Sequence, residues 1–227
     1  FLIGVVLFAT LALVPPMLQH EMGYPVLLTG LVTAPRGAGT MLAMIVVGRL
    51  VGKFDARLIV GVALGMTALS LWQMTQFDLL MNDHLIITTG VLQGFGIGLA
   101  YVPLSTIAFS TLPATLRNEG TAFFNLLRNI GSAIGISVVQ TLLTRNTQIM
   151  HATLAEHITP YTMPQVAQSH TELLALNGMI TRQAAMIAYN NDFKLMMIVT
   201  VSVIPLLLFM RPAAHQAGTQ QEVAIME

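Results

Sequence analysis

Six runs of about 20 predominantly apolar residues divide this chain, and a helix of that length crosses the ~30 Å hydrocarbon core of a bilayer. They cover 1–19, 27–50, 57–77, 84–110, 119–144 and 193–210. The composition agrees with them. Of 227 residues, 55% are hydrophobic and 9% charged, against about 25% charged in a typical soluble domain. The mean hydropathy is +0.74. That leaves too little polar surface for a water-soluble particle and excludes a disordered chain, a nucleic-acid module and an ordinary cytosolic enzyme. Ten basic residues balance ten acidic ones, and cysteine is absent. No disulfide framework, thiolate metal site or cysteine nucleophile is therefore available. The first residue is Phe1, inside an apolar run without the basic region or cleavage site of a signal peptide. The expectation is an all-α, polytopic membrane bundle that continues a longer chain on its N-terminal side.

Basic residues predict its orientation. Arg49, Lys53 and Arg57 follow the second span, Arg117 the fourth and Arg211 the sixth. The short alternate connections at 19–26 and 78–83 carry Glu21, Asp78 and Asp83 and no Lys or Arg. The positive-inside rule puts the first set, both chain ends and a flexible tail at 212–227 in the cytoplasm. The long polar connection 145–192 then reads as an extracytoplasmic loop. Within it Leu173, Leu176, Ile180, Gln183 and Ile187 recur at helical spacing. They predict an amphipathic helix on the outer surface or against the bundle. His151, His157 and His170 lack the i,i+4 spacing of a helical metal site, so no metal is expected.

The spans are not plain anchors. Gly61-x-x-x-Gly65, Gly94-x-x-x-Gly98 and Gly131-x-x-x-Gly135 put small residues at the spacing that lets membrane helices approach closely. Arg36 and Arg128 each lie about three turns into a span. A charge near the bilayer centre costs at least ~2.5 kcal/mol, so such residues normally face the bundle or water. Asn125, Arg128, Asn129 and Ser132 share one face of the fifth span, and Gln140 extends it. Such a stripe requires protein or a water-filled cavity opposite it. Arg128 reads either as a functional charge or as a hub bonding helix carbonyls. Arg36 reads either as functional or as snorkelling to the surface. No Asp or Glu is expected at mid-membrane. No Walker loop, G-x-G-x-x-G, H-E-x-x-H or G-x-S-x-G is present, and no enzyme activity is expected.

Four segments carry a family resemblance. "TGLVTAPRGAGTMLAMIVVGRLVGKFDARL" at 29–58 resembles the second helix and following loop of a major facilitator C-terminal half. "QGFGIGLAYVPLSTIAFSTLP" at 93–113 and "GTAFFNLLRNIGSAIGISV" at 120–138 resemble the EmrB/QacA type of fourteen-helix drug:proton antiporters, as does "TRQAAMIAYNNDFKLM" at 181–196. The resemblance implies a six-helix bundle of 3+3 inverted repeats, spans nine to fourteen of such a protein. Spans 1 and 4 would line the central cavity. Spans 2 and 5 would pack against the N-terminal half, with Arg36, Asn125, Arg128, Asn129 and Ser132 in the pathway or at that interface. Gly48, Arg49, Lys53, Asp55 and Arg57 match the second copy of the cytoplasmic gating loop, although Gly52 and Asp55 depart from its pattern.

The implied function is export of apolar or amphipathic compounds across a bacterial inner membrane. A proton gradient would supply the energy, with no cofactor. Implied partners are the lipid bilayer, the N-terminal half and the substrates. The resemblance leaves open a periplasmic membrane-fusion adaptor with an outer-membrane channel, which EmrB-like proteins use and QacA-like ones do without. The alternative is a structural or assembly subunit without transport activity of its own. The polar stripe of the fifth span argues against it, because a scaffold does not need one.

Overall fold

The computed structural model describes residues 1–51, 53–109, 112–157 and 170–209. Every regular element among them is helical, and six helical segments are long and apolar enough to cross a membrane.

The first span is α1 (Leu2–Pro16), continued by one π-helical turn, Met17–Glu21. Pro15 and Pro16 supply no N–H to the carbonyls of Leu11 and Ala12, so the ladder must be rebuilt beyond them. It is rebuilt with wider spacing, as in the bond from Met22 N to Met17 O at 3.3 Å. The turn out of it uses Gly23 at φ 71°, a left-handed conformation natural to glycine. The second span comprises α2 (Val26–Thr33) and α3 (Pro35–Leu50). Pro35 cannot donate to Leu31, but Ala34 keeps helical angles, so the axis is interrupted without a loop.

Next come α4 (Ala56–Met74) and α5 (Asp83–Phe109). A 3-10 turn, Ala114–Leu116, then leads into α6 (Arg117–Glu156). The last helix, α7 (His170–Val203), ends in a 3-10 stretch, Ile204–Phe209.

The expected loop at 145–192 is corrected here. Its described residues are almost entirely helical, since α6 runs on to Glu156 and α7 begins at His170. No Gly or Pro interrupts 145–156, and Gly178 alone interrupts 171–192. Loss of hydrophobicity ends a membrane span, but it does not end a helix. The amphipathic segment from Leu173 to Ile187 is the first half of α7 and not a separate surface helix. Gly52, Arg211 and the 212–227 tail lie outside the described residues.

Helix pairing shows the repeat. The first span packs on α6 and the fourth, α5, packs on α3. Exchanging spans 1–3 with spans 4–6 maps one pair onto the other, as 3+3 inverted repeats require. Both seams rest on glycine. A Cβ on Gly4 would drive into the backbone carbonyl of Arg128, and one on Gly94 into that of Arg36. The Gly94 and Gly131 motifs thus sit in seams, whereas Gly65 has open space beside it. α4 packs against α5 and α7. The largest apolar cluster gathers Leu13, Met17, Leu71, Met74, Phe77 and Phe193 at one end of the bundle. A second one, with Ala43, Val47, Ala63 and Leu99, joins α3, α4 and α5. Long apolar faces remain exposed on α2–α3 (Leu31, Met41, Ile45) and on α6 (Phe123, Leu126, Ile134).

Candidate functional site

The two deep arginines occupy related places in the repeat. Arg36 leaves α3 and donates from Nη2 to the carbonyl of Leu7 in the first span, at 3.4 Å. Arg128 leaves α6 and donates from Nη1 to the hydroxyl of Tyr101 in the fourth, at 3.2 Å. Each thus reaches from the second helix of its repeat to the first helix of the same repeat. Neither pairs with a carboxylate among the described residues.

Arg36 is half-buried and lines a cavity of about 400 Å³ between α1, α2–α3 and α5. Leu7, Leu11, Val14 and Ile86 supply apolar wall, and Thr33 and Gln93 supply polar groups. Gln93 is fully buried and donates from Nε2 to Thr10 Oγ1 at 3.3 Å. Its Oε1 has no partner. The chamber is therefore apolar on most sides with one cation and one free amide oxygen. That suits a molecule with an apolar body and a polar or anionic end. A second, almost wholly apolar cavity of about 340 Å³ lies between α1, α4, α5 and α7, bounded by Val6, Leu64, Ile97 and Val203.

Around Arg128, the guanidinium carbon lies 5.9 Å from the Tyr101 ring centre, within cation–π range. Tyr101 and Phe109 both stand edge-on to Phe124, at 6.2 and 5.8 Å. Arg128 Nε is buried without a partner. The expected stripe is only partly assembled. Asn125, Arg128 and Ser132 are half-buried, whereas Asn129 is exposed. Ser132 bonds the carbonyl of Asn129 in its own helix at 2.7 Å. Arg128 alone of the four is joined by its side chain to another helix.

The residues that match the family's gating loop cluster at the α3–α4 turn. Gly48 and Arg49 occupy the exposed last turn of α3, followed by exposed Lys53. Asp55 caps α4, accepting from Arg57 N at 3.2 Å. That local role accounts for an aspartate at this position without a salt-bridge latch. Arg57 is half-buried, and its Nε has no partner.

Sequence reasoning missed several groups. Tyr101 and Gln93 sit in apolar runs with nothing to mark them as partners of distant polar atoms. Asp192 was missed as well. It falls in the stretch read as a loop, yet α7 is continuous through residue 192, and Asp192 is 1% exposed, at the end of the bundle that holds Phe77 and Phe193. Reading 145–192 as a loop hid it. The available signal was Tyr189, Asp192, Met196 and Thr200, spaced for one helix face and all buried. At the Gly23 turn, Tyr24 donates its hydroxyl to Asp83. That bond, with burial and the carboxylate charge behind it, pushes the phenol up to about 12.

Residues 1–136 match the family model for the Major Facilitator Superfamily. The chain belongs to the Major Facilitator Superfamily. Superfamily relatives include the fatty acid resistance protein FarB of Neisseria gonorrhoeae, 30% identical over 94% of this chain and 44% of its own length. The probable multidrug resistance protein EmrY of Escherichia coli K12 is 29% identical over 92% of this chain and 43% of its own. The multidrug export protein EmrB of the same strain is 29% identical over 78% and 35%. The chain thus spans less than half the length of these superfamily relatives. They bear out the EmrB/QacA-type resemblance, and the six apolar helices make this superfamily member a multi-pass membrane protein. Its relatives are transporters, not enzymes.

Proposed function

We propose that the complete protein is a proton-driven exporter of apolar and amphipathic compounds in a bacterial inner membrane, with its C-terminus cytoplasmic. This chain supplies one half of the pathway. The observation that carries the reading is the chamber at Arg36: apolar walls, the unpartnered Gln93 Oε1, and a guanidinium without a carboxylate partner. A charge set among apolar walls inside a membrane bundle is costly, and such residues mark substrate or ion pathways by default. FarB is a fatty acid resistance protein, EmrY a probable multidrug resistance protein and EmrB a multidrug export protein, which supports this reading.

In this reading the second bundle completes the chamber, and the basic α3–α4 turn guards its cytoplasmic mouth. A proton gradient provides the energy and no cofactor takes part. The projecting ends of α6 and α7 are where a membrane-fusion adaptor, with its outer-membrane channel, would engage.

The test uses everted vesicles holding the full-length protein, an imposed pH gradient and two fluorescent amphiphiles, one anionic and one neutral. Arg36→Gln is expected to raise KM for the anionic probe about tenfold, as follows from losing a charge-assisted bond worth ~1.5–3 kcal/mol. The neutral probe should change little. Export that ignores the gradient would overturn proton drive. Equal effects on both probes would overturn the assignment of Arg36.

A further inference from the structure

We propose that Asp192 is a proton-binding site of this half, loaded through Tyr189 from the Glu21 end of the bundle; this rests on the transport reading above. Asp192 sits on the inward face of α7 and is 1% exposed. Its Oδ2 has no hydrogen-bond partner, and no Lys, Arg or His among the described residues pairs with it. An ionised carboxylate in such a place is strongly disfavoured, and the group neutralises by taking up a proton. An ionisable residue held inside a membrane bundle marks a proton or substrate path by default.

The surroundings hold a phenol near Asp192 and no cation bonded to it. Tyr189, one turn away on the same face, is 4% exposed and lies in electrostatic reach of both Asp192 and Glu21. A phenol hydroxyl both donates and accepts, so it can hand a proton on. Glu21, half-buried in the π-helical turn, stands at the outlet of this line. The Nε of Arg182 holds the Glu21 backbone carbonyl at 3.1 Å, which leaves the carboxylate itself free of that bond. Asn190 fixes the height of the site by donating to the carbonyl of Phe77 at 2.9 Å. Asp192 is two residues further into the bundle.

The packed elements face it with neutral residues. The end of α4 and the turn after it, residues 71–77, carry no charge and neither does α1, while the titratable His20 sits beside Glu21 in the π-helical turn. α6 runs antiparallel to α7 with His151 beside Asn177, which brings residues near Ile136 level with Asp192. The nearest charges along α6, Arg128 and Arg145, are both about two turns or more away. Lys194 is exposed. In the step proposed, water at the Glu21 end gives a proton to the line, and an O–H bond forms on Asp192. The bond breaks when movement of α7 opens the site to the other aqueous phase.

The experiment is an infrared titration of the purified full-length protein, alongside proton release on addition of the substrate probe. The wild type should show a protonated-carboxyl stretch that titrates with pH. Asp192→Asn, which keeps shape and lacks the acid, should lose that band and lose substrate-induced proton release. Tyr189→Phe should keep the band and slow its hydrogen–deuterium exchange. Asp192→Glu should retain a titrating band at a shifted frequency, which decides the matter if the Asn variant fails to accumulate. An unchanged band in either Asp192 variant would overturn the proposal, as would wild-type proton release from Asp192→Asn. If the wild type binds no substrate, the transport reading fails, while the band still reports on Asp192.

Discussion

Arg128 donates across the gap between α6 and α5, and what it does follows from where its bonds end. The Tyr101 hydroxyl is a neutral acceptor, so the guanidinium keeps its whole charge in a partly desolvated place. Arg128→Ala in the full-length protein is therefore expected to depress proton-driven efflux strongly while folded protein accumulates. Tyr101→Phe removes one acceptor, worth ~0.5–1.5 kcal/mol, and should cause a smaller loss. Efflux rates set beside the yield of folded protein check this. Failure of Arg128→Ala to accumulate would identify a structural hub. At the α3–α4 turn, Asp55→Ala should lower stability by about 1 kcal/mol through loss of the α4 cap. Thermal unfolding in detergent reads that, and an unchanged midpoint would deny the capping role.

Single residues were unevenly legible in the sequence. Arg36 and Arg128 stood out because a charge inside an apolar run has no background to hide in. Their acceptors, Leu7 O and Tyr101, are set by how helices cross, which no local pattern records. Asp192 was obscured by its neighbours, since 190–192 reads Asn-Asn-Asp, a polar string that resembles the end of a loop.

Among the elements, glycine settles which helices touch. Leucine at Gly94 or Gly131 would have to displace a neighbouring backbone, of Arg36 or of Phe1. Overpacking of this kind costs ~1–3 kcal/mol or more. Gly94→Leu and Gly131→Leu should therefore lower the unfolding midpoint and the yield, whereas Gly65→Leu, with open space beside it, should not. Equal tolerance at all three would show that the seams are looser than described. The spacing of small residues was visible in the sequence at all three motifs. Which of them form seams was not, because that depends on the facing helix. The six spans were legible through hydropathy, but the true lengths of α6 and α7 were not. Hydropathy reports the bilayer, while a helix continues for as long as its backbone bonds do.

For the molecule as a whole, the repeat and the basic residues make one joint prediction. Cysteine introduced at Asn82 should react from the outer side, and cysteine at Lys53 from the cytoplasmic side. The chain has no native cysteine to interfere. Labelling of Asn82 from the cytoplasm alone would invert the topology. The continuity of α6 also has a mechanical meaning. From Arg128, in its seam with α1, to Glu156 at the tip there are 28 residues of unbroken helix, about 42 Å. A tilt of about 10° at the seam would carry the tip sideways by about 7 Å at that length. With α7 strapped alongside through His151 and Asn177, the pair behaves as a pointer whose short end is set among the bundle's arginines, so that small rotations in the membrane become large displacements in the water beyond it.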